Sequence, residues 1–223
     1  MNVWAIVPVK PLGRAKSRLA EVFSPEQREQ LATDLLMRTV GLLLPILRGV
    51  LVISRDSKAL SMVRDLGAQT VQESGTPELN NAILRASQVL RIWHAEAMLV
   101  VPADLPLLAA ADVDAMVELG RYNQSVVIAP DRHETGTNLL MVRPPGLIPY
   151  SFGENSFAEH QRLAQAANAT LHIYRSERVG VDIDTPEDVL QYHTLAKLWG
   201  EPIMGKTESE KFESGEWMQP ELP

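Results

Sequence analysis

Apolar positions follow two alternating rhythms along this chain. Unbroken apolar runs of strand length occupy 3–9 (VWAIVPV), 50–54 (VLVIS), 97–102 (AMLVVP), 125–130 (SVVIAP) and 138–142 (NLLMV). A run without polar alternation predicts a strand covered on both faces. Between these runs the apolar residues recur with helical spacing. Ser24 is placed to cap a helix that starts at Pro25, with Gln27 completing a capping box. Residues 56–66 predict a second helix, stopped by Gly67. Helical period returns at 78–93, 110–120 and 156–169. A last helix is predicted over 185–199, with Thr185 as cap, Pro186 at the first position and acids in the first turn.

Strands and helices in this alternation predict an α/β fold: one domain built on a mostly parallel twisted sheet with helices on both faces. Ligands of such sheets bind beyond the carboxyl ends of the strands. Neither a repeat nor a linker divides residues 1–200, which are read as a single domain. Residues 201–223 are rich in Glu, Ser, Pro and Lys, lack periodicity, and are expected to form a flexible tail.

Composition and charge narrow the function. A net charge of −7 disfavours nucleic acid and membrane surfaces as partners, since both reward positive charge. The apolar run at the start has no basic segment before it and is too short to span a bilayer, so no signal peptide or membrane segment is expected. The absence of cysteine removes disulfide and thiolate chemistry and fits a cytoplasmic protein. Against the acidic background, PVKPLGRAKSRL places Lys10, Arg14, Lys16 and Arg18 directly after the first strand, around the lone glycine Gly13. Such a strand-to-helix loop can hold phosphate oxygens through backbone N–H groups and cationic side chains. It is neither a Walker A motif nor a G-x-G-x-x-G fingerprint.

Carboxylates supply the second ingredient. Asp104, in VVPADLPLL, follows the central apolar strand and suits a divalent metal; the neighbouring prolines also allow a plain turn or cap. In GVDIDTPEDV, Asp182 and Asp184 are two apart in an extended segment, so both carboxylates share a face, which is unfavourable unless a cation lies between them. Asp188 falls in the first turn of the last helix and is given a structural role. Gly153 and Ser156 precede a helix whose free N–H groups could take an anion, and Thr135 and Thr137 offer hydroxyls around Gly136. His133 and His160 are read as locally hydrogen-bonded. A phosphate loop, metal-binding acids and an anion pocket together suit nucleotidyl transfer, which needs positioning and fixed charge more than a nucleophile.

Six segments, PVKPLGRAKSRL, ELNNAI, PADLPLL, TGTNLL, FGENSFAEH and VDIDTPEDV, resemble the guanylyltransferases of deazaflavin coenzyme F-420 biosynthesis, in the order expected of that family. The resemblance runs from about Val3 to Leu198 and implies a nucleotide-diphospho-sugar-transferase-like domain. It implies transfer of GMP from GTP to a small phosphorylated carboxylic acid, either phosphoenolpyruvate or 2-phospho-L-lactate, with Mg²⁺. Residue by residue, Asp104, Asp182 and Asp184 match metal-binding acids. Thr137, Gly153 and Ser156 match the positions that hold the acceptor. Lys10, Gly13, Arg14, Lys16 and Arg18 fall to the GTP phosphates, and Asn80 and Asn81 to the guanine end. Lys16 and Asp104 are the residues assigned to catalysis. A homodimer is left open, as are a sugar-phosphate or molybdenum-cofactor nucleotidyltransferase and a non-catalytic nucleotide-binding module.

Overall fold

The computed structural model describes residues 1–74 and 78–199; the expected tail at 201–223 lies outside them. The elements in chain order are β1 (Val3–Val9), α1 (Pro25–Leu43), β2 (Gly49–Ser54), α2 (Ser57–Asp65), β3 (Gln69–Gln72), α3 (Leu79–Ile92) and β4 (Ala97–Val100). They continue with α4 (Ala110–Leu119), β5 (Ser125–Pro130), β6 (Thr137–Arg143), α5 (Ser156–Ala166), β7 (Thr170–Ile173), α6 (Glu177–Gly180) and α7 (Pro186–Trp199). The predicted caps form. Ser24 Oγ accepts from Gln27 N–H while Gln27 Oε1 accepts from Ser24 N–H. Gly67 follows α2 with φ +102°, a conformation that costs glycine little.

The strands form one sheet in the order β3-β2-β1-β4-β6-β5-β7. All pairings are parallel except those of β6, which runs against both β4 and β5. Only residues 131–136 join β5 to β6, too short a link for a parallel crossover, so the chain must return as a hairpin. The sequence reading had both strands but not this reversal. It also missed β3 and β7, which are four-residue edge strands whose side chains are exposed or half-buried.

Buried side chains on the two sheet faces explain the layers. Val3, Ala5 and Val7 pack with Leu36, Val40 and Leu43 of α1, Ala59 and Leu60 of α2, and Val113 and Met116 of α4. Ile6, Ile53 and Val100 pack on the other face against Ile83, Ala86 and Leu90 of α3 and Phe157 and Ala164 of α5. Each such large apolar side chain contributes on the order of 1.5–3 kcal/mol by leaving water. A third cluster docks α7, through Val189, Tyr192 and Ala196, onto Leu31 and Leu35 of α1. That docking brings the chain just before α7 back to the sheet edge where β1 and β4 end.

Candidate active site

Strand order reverses between β1 and β4, because β2 and β3 lie on one side of β1 and the later strands on the other. The loops leaving β1 and β4 therefore diverge and open a crevice at the carboxyl edge. A cleft of about 990 Å³ occupies that place. Since β6 runs backwards, its first residues also reach this edge. Lys10, Lys16, Arg18, Asp104, Thr137, Gly153, Ser156, Asp182 and Asp184 all line the cleft.

Hydrogen bonds fix the basic loop. Asp56, which caps α2 by accepting from Lys58 and Ala59 N–H, also accepts from Leu12 N–H at 2.9 Å. Further on, Lys16 takes a left-handed backbone conformation, φ 55° and ψ 36°, unusual for a residue with a Cβ. The bend turns its side chain inward, where only 8% of it stays exposed. Its ammonium donates to Asp104 Oδ2 and Asp184 Oδ1, each at 3.1 Å. Burial alone would lower the Lys16 pKa; the charges of Asp104 and then Asp184 outweigh it and hold the amine protonated.

The acids are positioned by backbone ties. Ile183 N–H donates to the Asp104 carbonyl at 3.1 Å, joining the loop after β4 to the segment that carries Asp182 and Asp184. Ile183 is buried, leaving its two neighbours free to line the cleft, as the alternation predicted. Asp188 does more than suit the helix dipole. One of its oxygens accepts from Asp184 N–H at 3.0 Å and from Thr185 N–H at 2.7 Å, and the other takes Arg132 at 2.8 Å. Asp188 thus plays the structural role expected of it, and does so by holding Asp184 in place.

Among the described residues no three acid or histidine side chains converge as a ready-made metal cage. The donor set nevertheless fits Mg²⁺, which is commonly bound through one or two carboxylates plus substrate phosphates. Asp104, Asp182 and Asp184, which all line the cleft, would hold it. Burial first, then the charges of Asp104 and Asp184, push the Asp182 carboxyl up to about 6. Because the folded pKa is raised, the stability tied to Asp182 is present below the unfolded pKa and lost as pH rises through about 6. At neutral pH the residue therefore destabilises the protein without divalent ions. Asp182→Asn is expected to raise the melting temperature at about pH 7.5 by several degrees, at ~2–4 °C per kcal/mol for a chain of this size. The gain should vanish at about pH 4. An equal shift at both pH values, measured in EDTA, would rule this account out.

Across the cleft, residues 131–136 are organised by Asp131, whose carboxylate accepts from His133, Thr135 and Gly136 N–H. A Cβ at Gly136 would lie 2.8 Å from Asp131 Oδ2, so a larger residue here would displace the carboxylate that ties this loop together. Gly153 has φ +132°, which other residues rarely adopt, although a Cβ there would meet nothing within 4 Å. Asn155 is the N-cap of α5, and Ser156 is its first helical residue. The expectation of free N–H groups is narrowed: Ser156 N–H donates to the Gly153 carbonyl and Phe157 N–H to the Thr135 carbonyl.

Four expected residues stand apart from the cleft lining. Gly13 and Arg14 are exposed on the outer turn of the basic loop. Asn81 is exposed on α3, and Asn80 spends its amide on the backbone of Phe152, donating at 3.1 Å and accepting at 2.7 Å. Asn80 therefore braces the loop that leads to Gly153. Sequence reasoning passed over Arg55, Glu73 and Asn138, which line the cleft after β2, after β3 and on β6. Glu73 stands out because its Oε1 is buried without a hydrogen-bond partner among the described residues. The position of Glu73 was hidden because β3 itself was not recognised.

A family model described as "Guanylyl transferase CofC like" matches residues 3–195. A phosphoenolpyruvate guanylyltransferase of Rubrobacter xylanophilus is 40% identical over 194 residues, covering 85% of this chain and 92% of the relative. A 2-phospho-L-lactate guanylyltransferase of Methanocaldococcus vulcanius is 35% identical over 185 residues, covering 82% and 81%. Among solved structures, a Desulfovibrio desulfuricans protein with a provisional nucleotide-diphospho-sugar transferase assignment superposes with a TM-score of 0.73 over 88% of both chains, at 14% identity. That similarity speaks for the expected fold. Among the described residues no helix is long and apolar enough to cross a membrane.

Proposed function

The chain belongs to the family of CofC-like guanylyl transferases, and on that premise we propose that it moves GMP from GTP onto the phosphate of phosphoenolpyruvate. A phosphate oxygen of the acceptor attacks the α-phosphorus, the bond to the β-phosphate oxygen breaks, and pyrophosphate leaves. The product, enolpyruvyl-diphospho-guanosine, would feed deazaflavin coenzyme biosynthesis. The observation that carries this reading is the buried Lys16 ammonium held 3.1 Å from both Asp104 and Asp184, between the basic loop and the pocket around Thr137.

Each group has a role that its chemistry supports. Lys10 and Arg18 supply positive charge for the triphosphate, and Lys16 sits where charge builds on the α-phosphate and the departing pyrophosphate. Asp104, Asp184 and Asp182 would hold Mg²⁺, which supplies further charge neutralisation when bound. Thr137, Gly153 and Ser156 face the acceptor. No side chain need act as nucleophile, because the acceptor phosphate already carries one. Phosphoenolpyruvate is favoured over 2-phospho-L-lactate because a relative named for it reaches 40% identity, against 33–35% for four relatives named for 2-phospho-L-lactate. Parallel assays with both acids, GTP and Mg²⁺, followed by mass detection of the products, test the choice. Faster turnover of phospholactate would reverse it.

Glu73 accounts for base selection. Guanine offers two adjacent donors, the ring N1–H and the exocyclic amine, which a carboxylate can accept together, whereas adenine presents an acceptor at N1. Just after β3, the Oε1 of Glu73, unpartnered among the described residues, suits that edge. Glu73→Gln is expected to lower kcat/KM for GTP about 10–100-fold, the loss of a charge-assisted hydrogen bond, with little change for ATP. If GTP and ATP respond alike, another group reads the base.

A further inference from the structure

His160 lies on α5 with no exposed surface, and both its ring nitrogens are engaged. Ser151 N–H donates to Nε2 at 3.1 Å. A backbone N–H only donates, so Nε2 must present a lone pair. Thr137 Oγ1 lies 3.0 Å from Nδ1. The ring stands edge-on to Phe152, their centroids 4.9 Å apart, which fixes its plane. Burial pushes the His160 pKa down to about 4, so the ring is neutral at physiological pH and carries a single proton. With Nε2 occupied as an acceptor, that proton sits on Nδ1 and points at Thr137.

We propose that His160 is a positioning residue that fixes Thr137 as a hydrogen-bond donor to the acceptor. A hydroxyl whose oxygen already accepts from Nδ1–H must send its own proton elsewhere, and Thr137, at the start of β6, lines the cleft. The acceptor contributes ionised phosphate and carboxylate oxygens, which accept, so a hydroxyl locked in the donor sense recognises them and discriminates against neutral donors. The second bond, from Ser151, anchors the loop that leads through Asn80-bound Phe152 to Gly153. A single buried ring thereby joins the two halves of the pocket, the β6 start and the loop before α5.

This inference rests on the placement of the acceptor at Thr137, and the experiment separates the two. In the full-length protein at neutral pH, long-range ¹H–¹⁵N correlation should place the His160 proton on Nδ1, the resonance being assigned through its contact with the Phe152 ring. A proton on Nε2, or a doubly protonated ring, overturns the proposal without any variant. Thr137→Val tests the pocket alone: the acceptor KM should rise on the order of tenfold while the GTP KM stays nearly constant. An unchanged acceptor KM removes the pocket reading and the proposal with it. His160→Asn keeps a donor near the Nδ1 position and should hold the acceptor KM within about threefold while melting earlier. His160→Gln keeps an acceptor for Ser151 and should melt closer to the parent but lose about tenfold in acceptor KM. If Thr137→Val raises the acceptor KM and the two His160 variants do not differ from each other, His160 is a packing residue and the proposal fails.

Discussion

Asp104→Asn is expected to lower kcat/KM for GTP by a factor on the order of several hundred, the loss of roughly 3–4 kcal/mol of transition-state stabilisation. The change keeps the side chain's volume and its 31% exposure while removing its charge. Two consequences combine. Lys16 loses one of its two charged anchors and is free to swing towards Asp184, and the three carboxylates that would hold Mg²⁺ are reduced to two. The fold itself should survive, because the tie to the Ile183 N–H uses the Asp104 backbone carbonyl, which the substitution leaves in place. The expected signature is thus a large loss of activity with a melting temperature shifted by only a few degrees. Steady-state kinetics over a range of Mg²⁺, with a melting curve on the same preparation, measure both. A variant that keeps a tenth of the parent's activity would mean that Asp104 does not face the reacting phosphates.

Lys16→Met should be comparably damaging, for a different physical reason. The ammonium is almost fully buried, and its removal leaves Asp104, Asp182 and Asp184 facing one another without a counter-charge. Breaking a buried pair by deleting one partner costs about 3–5 kcal/mol in general. Asp104 and Asp184 are 31% and 44% exposed, so water screens part of that cost, and about 1–3 kcal/mol of stability is expected to go. The loss in kcat/KM should be on the order of 10²–10³, as for removal of one preorganised donor to a developing oxyanion. The same electrostatics gives a second readout. With the ammonium gone the acid cluster attracts divalent cations more strongly, so added Mg²⁺ should raise the melting temperature of Lys16→Met more than that of the parent protein. A smaller rise in the variant would show that the cation does not enter between these carboxylates. Lys16→Arg is not expected to rescue, since a planar guanidinium cannot take the place of a compact ammonium between two carboxylates in a buried, left-handed turn.

What the sequence determined by itself is what a few neighbouring residues determine. The capping box at Ser24 and Gln27 and the stop at Gly67 depend on contacts within one turn, and both form as read. The face shared by Asp182 and Asp184, with Ile183 turned inward, follows from the two-residue alternation of extended chain. The alternation of apolar strands with helices by itself places the basic loop and Asp104 at one edge of a sheet. The direction of β6 was within reach too, because six connecting residues cannot hold a crossover, but an apolar run carries no arrow. The edge strands β3 and β7 were not legible, since four half-exposed residues do not rise above the pattern of a loop.

Only the tertiary structure decided which residues meet across long stretches of chain. Lys16 reaches Asp104 over 88 positions and Asp184 over 168, a meeting that requires the β1–β4 register, the left-handed turn at Lys16 and the docking of α7 all at once. The family resemblance placed Asn80 and Asn81 together near the guanine end; Asn80 holds the Phe152 backbone, because the loop before α5 folds over the start of α3. Glu73 acquired significance only once β3 was seen to end at the cleft. Likewise nothing near His160 in sequence sets its tautomer; a backbone N–H nine residues away and a threonine twenty-three away do. Local periodicity reports on energies that neighbours along the chain supply. The protonation state and the partner of a buried polar group are set by whatever the fold places against it, and that information is spread over the whole chain.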